Sequence, residues 1–289
     1  MASMRVPPWP PEPPITMPPA RIVEVPGRGE FFLRDTGGGG RVVMLLHGWM
    51  ATADINWWAV YGDLTDAGYR VLAIDHRGHG RGLRSLAPFR IADCAADAAA
   101  VLRLLGLAPA LVVGYSMGGA IAQTMAREHP DTVAGVVLSA TAQHWQDRRT
   151  RRAFKALGAM GFSISVAPRL FWGLGLRRLA GRPSRRTVWL ESELMRHSAR
   201  DLAEAGRELG RFDSRPWLGS VRAPIAVLIT TRDELVPVFK QRQLAAGAGA
   251  TVFEAPISHL ELGARHTDYG RQLVAALAAV GRREDAAAA

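Results

Sequence analysis

Five short runs, Val42 to Leu46, Val71 to Ile74, Leu111 to Val113, Val133 to Leu138 and Ile225 to Ile229, are almost continuously apolar and are separated by longer amphipathic stretches. A strand that is apolar at every position, not only at alternate ones, must be covered on both faces, as a central strand of a parallel sheet is. Parallel neighbours need crossover connections, and helices are expected at Trp57 to Ala67, Ile91 to Leu105 and Met117 to His129, the last stopped by Pro130. The predicted fold class is therefore α/β, a mostly parallel central sheet flanked by helices.

This rhythm starts at Arg21 and breaks after Ser139. Before it lies a proline-rich lead, Met1 to about Ala20, which favours an extended, solvated chain and is expected to be a disordered arm. From Ala142 to about Trp217 no convincing strand occurs, but Arg, Leu, Trp and Met abound between Gly and Pro punctuation. A structureless loop of that length is uncommon in a compact domain. A helical cap inserted into the sheet domain accounts for it better. The expected organisation is an arm over 1–20, a sheet domain over 21–141 and 218–281, a helical cap over 142–217 and a flexible tail over 282–289, all within the reach of one domain with an insertion in a chain of 289 residues.

Composition removes other classes. No run approaches the roughly 20 apolar residues needed to cross a bilayer, so an integral membrane protein is not expected. The single Cys94 excludes a disulfide framework and any cysteine-based metal cluster, and Pro7, Pro8, Pro10 and Pro11 stand where a secretory signal carries an apolar helix. A reducing, cytoplasmic compartment is the expectation. The net charge of +10 is local: Arg148 to Arg186 holds ten Arg and Lys155 with no acidic residue, and the rest of the chain carries 25 basic against 26 acidic side chains.

The candidate chemistry begins at Gly114-Tyr115-Ser116-Met117-Gly118, which follows an apolar strand and opens a helix. A serine on so sharp a turn projects its hydroxyl from the sheet, and the flanking glycines leave room for neighbouring backbone. The string alone is weak, since chance supplies roughly 0.1 of them in such a chain; its place between strand and helix raises it. A serine hydroxyl needs a base, and the base needs a carboxylate to orient it. Asp233 follows the strand Ile225 to Thr231, and His259 follows a further strand, Thr251 to Ala255. Both reach the carboxyl edge of the sheet, where the serine also lies. Glu234 is the neighbouring rival to Asp233 and His266 the rival to His259, although His266 falls within a stretch that reads as helix; His129, His144 and His197 are assigned no chemistry. The oxyanion of a tetrahedral intermediate would find donors in the N–H of Met117, at the helix start, and of Trp49, in the turn His47-Gly48-Trp49 after an early strand.

Over roughly Arg21 to Val280 the chain resembles the α/β-hydrolase family, in its carboxylesterase and monoacylglycerol-lipase-like branch. The resemblance rests on His47-Gly48-Trp49, Asp75-His76-Arg77-Gly78-His79-Gly80, Gly114-Tyr115-Ser116-Met117-Gly118-Gly119, Asp233 before Val236-Pro237, and His259. It implies a triad of Ser116, Asp233 and His259, an oxyanion hole from Trp49 and Met117, a cap over the pocket, and a structural role for Asp75 to Gly80. Serine at the elbow argues against the dehalogenase and epoxide-hydrolase branches, which carry Asp there.

The expected function is hydrolysis of an ester with a small hydrophobic acyl or aryl group through an acyl-enzyme, with no metal or organic cofactor. Carbon-carbon bond hydrolysis or acyl transfer would use the same residues, and a noncatalytic ligand-binding relative would be expected to lack a triad member. In the cap, Phe154, Leu157, Met160, Phe162, Leu170, Phe171 and Trp172 are interleaved with arginines. One reading is a solvated cationic face on a pocket cover. A second is weak contact with an anionic membrane surface, which would add peripheral association to the cytoplasmic expectation. Nucleic acid is not an expected partner, because no recognition module accompanies the charge.

Overall fold

The computed structural model describes residues 10–146, 157–180, 184–263 and 267–288. Eight strands form one sheet in the order β1-β2-β4-β3-β5-β6-β7-β8. They are β1 (Ala20–Val25), β2 (Gly29–Asp35), β3 (Val42–Leu46), β4 (Arg70–Ile74), β5 (Ala110–Tyr115), β6 (Val133–Ser139), β7 (Ile225–Thr230) and β8 (Thr251–Ala255). The β1–β2 and β2–β4 pairs are antiparallel and all the others parallel.

The sheet has a core on each face, which is why its strands read as continuous apolar runs. In β3, Met44 and Leu46 enter one cluster while Val43 and Leu45 enter the other; in β5, Ala110 and Val112 divide in the same way from Leu111 and Val113. The first cluster is closed by α3 (Ile91–Leu104) and α4 (Met117–Glu128). The helix expected over Trp57 to Ala67 is instead two, α1 (Ala53–Trp57) and α2 (Tyr61–Asp66). Thr52 caps the first, its hydroxyl accepting from the Ile55 N–H, and the turn that follows lets Trp57 and Leu64 both enter the second cluster.

Among its described residues the insertion between β6 and β7 contains four α-helices, α5 (Leu157–Val166), α6 (Pro168–Ala180), α7 (Arg185–Leu194) and α8 (Ala199–Leu209). Buried Glu193 of α7 fastens it to the core, taking both Arg81 guanidinium N–H groups at 2.9 and 2.6 Å. Such a fork fixes direction as well as distance. Arg148, Arg149, Arg151, Arg152, Phe154, Lys155 and Arg182 lie outside the described residues.

After β7 come α9 (Val238–Gly247) and α10 (Thr267–Ala288). The tail expected to be flexible over 282–289 is helical through Ala288, and its alanines are strong helix formers. At the other end, residues 1–9 of the expected arm lie outside the described residues. Ile15 and Met17 are not solvated but pack against the second core cluster, and the Pro18 and Pro19 carbonyls accept hydrogen bonds from Arg34 and the Asp35 N–H. These two apolar contacts and two hydrogen bonds together hold the segment against the sheet domain. Among the described residues no helix is long and apolar enough to cross a membrane.

Candidate active site

Ser116 sits between β5 and α4 with φ +54° and ψ −115°, a conformation that is strained for any residue with a Cβ. The turn is that tight because helix and strands crowd it. A Cβ on Gly114 would overlap the Gly118 carbonyl, and one on Gly118 the Leu46 carbonyl. Hydrogen bonds hold the strained serine on both sides: its N–H donates to the Ser139 carbonyl at 3.0 Å, and its own carbonyl accepts from the Gly119 N–H at 2.9 Å and the Thr141 hydroxyl at 2.8 Å.

The sheet brings Asp233 and His259 to the same edge. His259 Nε2 lies 3.1 Å from Ser116 Oγ, and His259 Nδ1 lies 2.8 Å from Asp233 Oδ2. A carboxylate only accepts, so Nδ1 carries the proton and Nε2 is left to accept from the serine hydroxyl. Asp233 is buried and fully engaged. Its Oδ1 accepts from the Leu235 and Val236 N–H groups at 2.9 and 2.7 Å, and its Oδ2 also accepts from the Thr230 hydroxyl at 2.8 Å. The rival Glu234 is exposed. His266 lies outside the described residues.

Several supporting residues were not anticipated from the sequence. Gln241 of α9 donates to Thr230 Oγ1 at 3.0 Å and to the Val236 carbonyl at 2.8 Å, and its Oε1 accepts from the Thr230 N–H at 3.0 Å. It braces the hydroxyl that braces Asp233. The Tyr115 hydroxyl donates to the His259 carbonyl at 2.7 Å, which anchors the histidine loop to the end of β5. A threonine three residues before the acid, at a strand end, was a readable signal for a side-chain donor; a glutamine in the middle of a helix carried none.

The turn after β3 abuts the serine. A Cβ on Gly48 would lie 3.3 Å from Ser116 Cβ, and the Gly48 N–H donates to Asn56 Oδ1 at 2.7 Å. Trp49 follows directly. Met117 is the first residue of α4, where backbone N–H groups have no acceptor within the helix. His47 lies beneath, buried: it accepts the His76 N–H at Nε2 (3.0 Å), so its Nδ1 must donate to the Gly48 carbonyl (2.8 Å). Burial, reinforced by neighbouring histidines, holds His47 well below the ordinary histidine range, and burial then His79 holds His76 down to about 3. Asp75 takes the Ala53 and Arg81 N–H groups at 2.7 and 2.8 Å, tying the loop 75–81 to α1; its burial outweighs those bonds and raises it to about 7.

The α/β-hydrolase fold matches this chain over residues 41–260. The chain belongs to that family. Among its α/β-hydrolase relatives is the pimeloyl-[acyl-carrier protein] methyl ester esterase of Chromobacterium violaceum, 30% identical over 249 residues that span 83% of this chain and 95% of that one. A non-heme haloperoxidase of Rhodococcus erythropolis is 42% identical over 110 residues, 38% of this chain and 39% of that protein. An esterase from Exiguobacterium antarcticum has the same α/β-hydrolase fold, with a TM-score of 0.77 over 90% of this chain and 100% of that one at 19% identity.

Proposed function

We propose that the protein is a serine hydrolase that cleaves the ester bond of a small hydrophobic acyl or aryl substrate. The observation that carries this reading is the unbroken relay from Ser116 Oγ through the His259 ring to Asp233, at 3.1 and 2.8 Å. His259 Nε2 takes the hydroxyl proton as Ser116 Oγ attacks the ester carbonyl, and Asp233 stabilises the imidazolium without taking its proton. The N–H groups of Trp49 and Met117 receive the oxyanion. Collapse of the tetrahedral intermediate expels the alcohol, protonated by His259, and leaves an acyl-Ser116. Water, activated by the same imidazole, attacks that ester and releases the acid. The scheme uses only side chains, backbone N–H groups and water.

An apolar acyl or aryl group is supported by what surrounds Trp49. It and Met50 pack with Ile164, Trp172 and Leu202 of the insertion in one hydrophobic cluster. A relative named as a methyl ester esterase supports an ester as the reacting group. The test is turnover of p-nitrophenyl esters of graded acyl length alongside labelling by a fluorophosphonate probe. Labelling at Ser116 and hydrolysis that both vanish in Ser116→Ala are expected. Labelling that persists in Ser116→Ala would overturn the assignment.

A further inference from the structure

Helix α5 has the sequence LGAMGFSISV and carries no charged side chain. A helix apolar on all sides normally lies inside a protein or a membrane. This one is covered on one side only. Ile164 of α5 and Trp172 of α6 are buried against Leu202, whereas Phe162 and Val166 of α5 and Leu170 and Leu174 of α6 are 70, 67, 56 and 52% exposed. Each exposed pair is spaced i, i+4, which places its members on one face of their helix. Between and beyond them stand Arg169, Arg177 and Arg178, exposed and without an ion pair among the described residues. The stretch that forms the two helices, 157–180, contains no Asp or Glu.

We infer that the outward face of α5 and α6 is a docking surface for an anionic lipid bilayer. Phe162, Val166, Leu170 and Leu174 would enter the boundary between headgroups and acyl chains, while the arginines extend their apolar stems along it and meet the lipid phosphates. Charge selects this occupant over a second copy of the chain. A two-fold contact places the same patch on both sides and so brings three cations without acidic neighbours on their helices toward three more. The surface is separate from the chemistry, because none of these seven side chains belongs to the Ser116 site.

The experiment is cosedimentation of the full chain with vesicles of phosphatidylglycerol and phosphatidylcholine, and with phosphatidylcholine alone, at 0.1 and 1 M salt. Binding to the anionic vesicles is expected, weakened at high salt as the Debye length falls from about 10 to about 3 Å. Replacing Arg169, Arg177 and Arg178 by Gln should lower partitioning roughly fivefold per charge. Phe162→Gln with Leu174→Gln should lower it further while turnover of a soluble ester stays unchanged. Ser116→Ala should bind vesicles as the parent chain does, so loss of hydrolysis and loss of adsorption are read separately. Equal binding to both vesicle types, or none to either, would overturn the inference. So would capture by polyglutamate that matches the anionic vesicles and ignores the Phe162 and Leu174 changes, since that pattern belongs to an acidic protein partner.

Discussion

The indole Nε1 of Trp49 donates a hydrogen bond of 2.9 Å to the carbonyl oxygen of Leu202. It joins the turn after β3, which abuts Ser116, to a helix of the insertion 153 residues away in sequence. From the other side Asn56 holds the Gly48 N–H, and Met50, the next residue after Trp49, is fixed at φ +59° with its side chain in the insertion's cluster. The backbone proposed to receive the oxyanion is thus gripped between sheet domain and insertion.

Trp49→Phe keeps the backbone N–H and an aromatic ring but removes the indole donor. A hydrogen bond of this kind contributes about 1 kcal/mol. With Trp49 positioning the donor, kcat on a soluble ester should fall about fivefold with KM little changed, as expected for an interaction that acts in the transition state. Steady-state kinetics on the purified variant reads this directly, and an unchanged kcat would detach the insertion from catalysis.

Ser116→Ala and His259→Ala should each lower kcat by several orders of magnitude, and the double variant should lose little more, because residues that act as a unit are not additive. Asp233→Asn should cost about 10⁴-fold through the wrong histidine tautomer. Glu234→Gln, at an exposed position, should stay within about twofold of the parent.

Thr230 supplies one of four hydrogen bonds to Asp233 and does so on the oxygen that faces His259. Thr230→Val should reduce kcat/KM about tenfold, which corresponds to about 1.4 kcal/mol and lies near the low end of the roughly 1.5–3 kcal/mol of one such bond to a charged group. Thr230→Ser, which restores the hydroxyl, should recover most of the loss. A packing role alone would show the opposite order, since valine keeps the shape of threonine and serine does not.

Acid should destabilise the fold from about pH 6.5 downward. His47, His76 and His79 are buried, and these three together with His197 are held below the ordinary histidine value of 6.5, chiefly by burial, His76 and His197 to about 3. Unfolded chains therefore bind protons that the native chain refuses. The stability these groups contribute is complete above pH 6.5 and is lost as pH falls toward their folded values, by about 1.4 kcal/mol per pH unit for each histidine. Asp75, raised to about 7, works in the opposite sense between pH 3.8 and 7 and offsets one of the four. Urea midpoints from pH 7 to pH 4 should fall, and His76→Phe should flatten the slope by about one proton.

What the sequence disclosed and what it hid divide along the range of the interactions. The strand runs at Val42 to Leu46 and Thr251 to Ala255 match the observed strands, and the residues around Ser116, Asp233 and His259 were readable because each is announced by its own neighbours: a strand end, a glycine turn, a proline. The division of the helix at Trp57 lets Trp57, Tyr61 and Leu64 all reach the second core cluster, a tertiary requirement that no local pattern specifies. The pairing of Arg81 with Glu193 joins residues 112 apart, and the Gln241 brace on Thr230 depends on how α9 packs beside β7. Arginine is too frequent in this chain for its partner to be read from type and spacing, and the Gln241 contact is set by packing between helix and strand. The packed Ile15 and Met17 were masked by the prolines around them, whose composition argued for solvent while two apolar side chains decided otherwise.

The elbow at Ser116 has a consequence for what selection can preserve. Its φ of +54° costs on the order of 1–3 kcal/mol that glycine, without a Cβ, would not incur. Ser116→Gly should therefore melt later than Ser116→Ala, and later than the parent chain wherever the lost serine contacts amount to less than the strain. Drift toward greater robustness alone would erode the serine proposed as the nucleophile. A serine that persists at that position across descendants of this chain would be a mark of continued use, legible in their genomes without any assay.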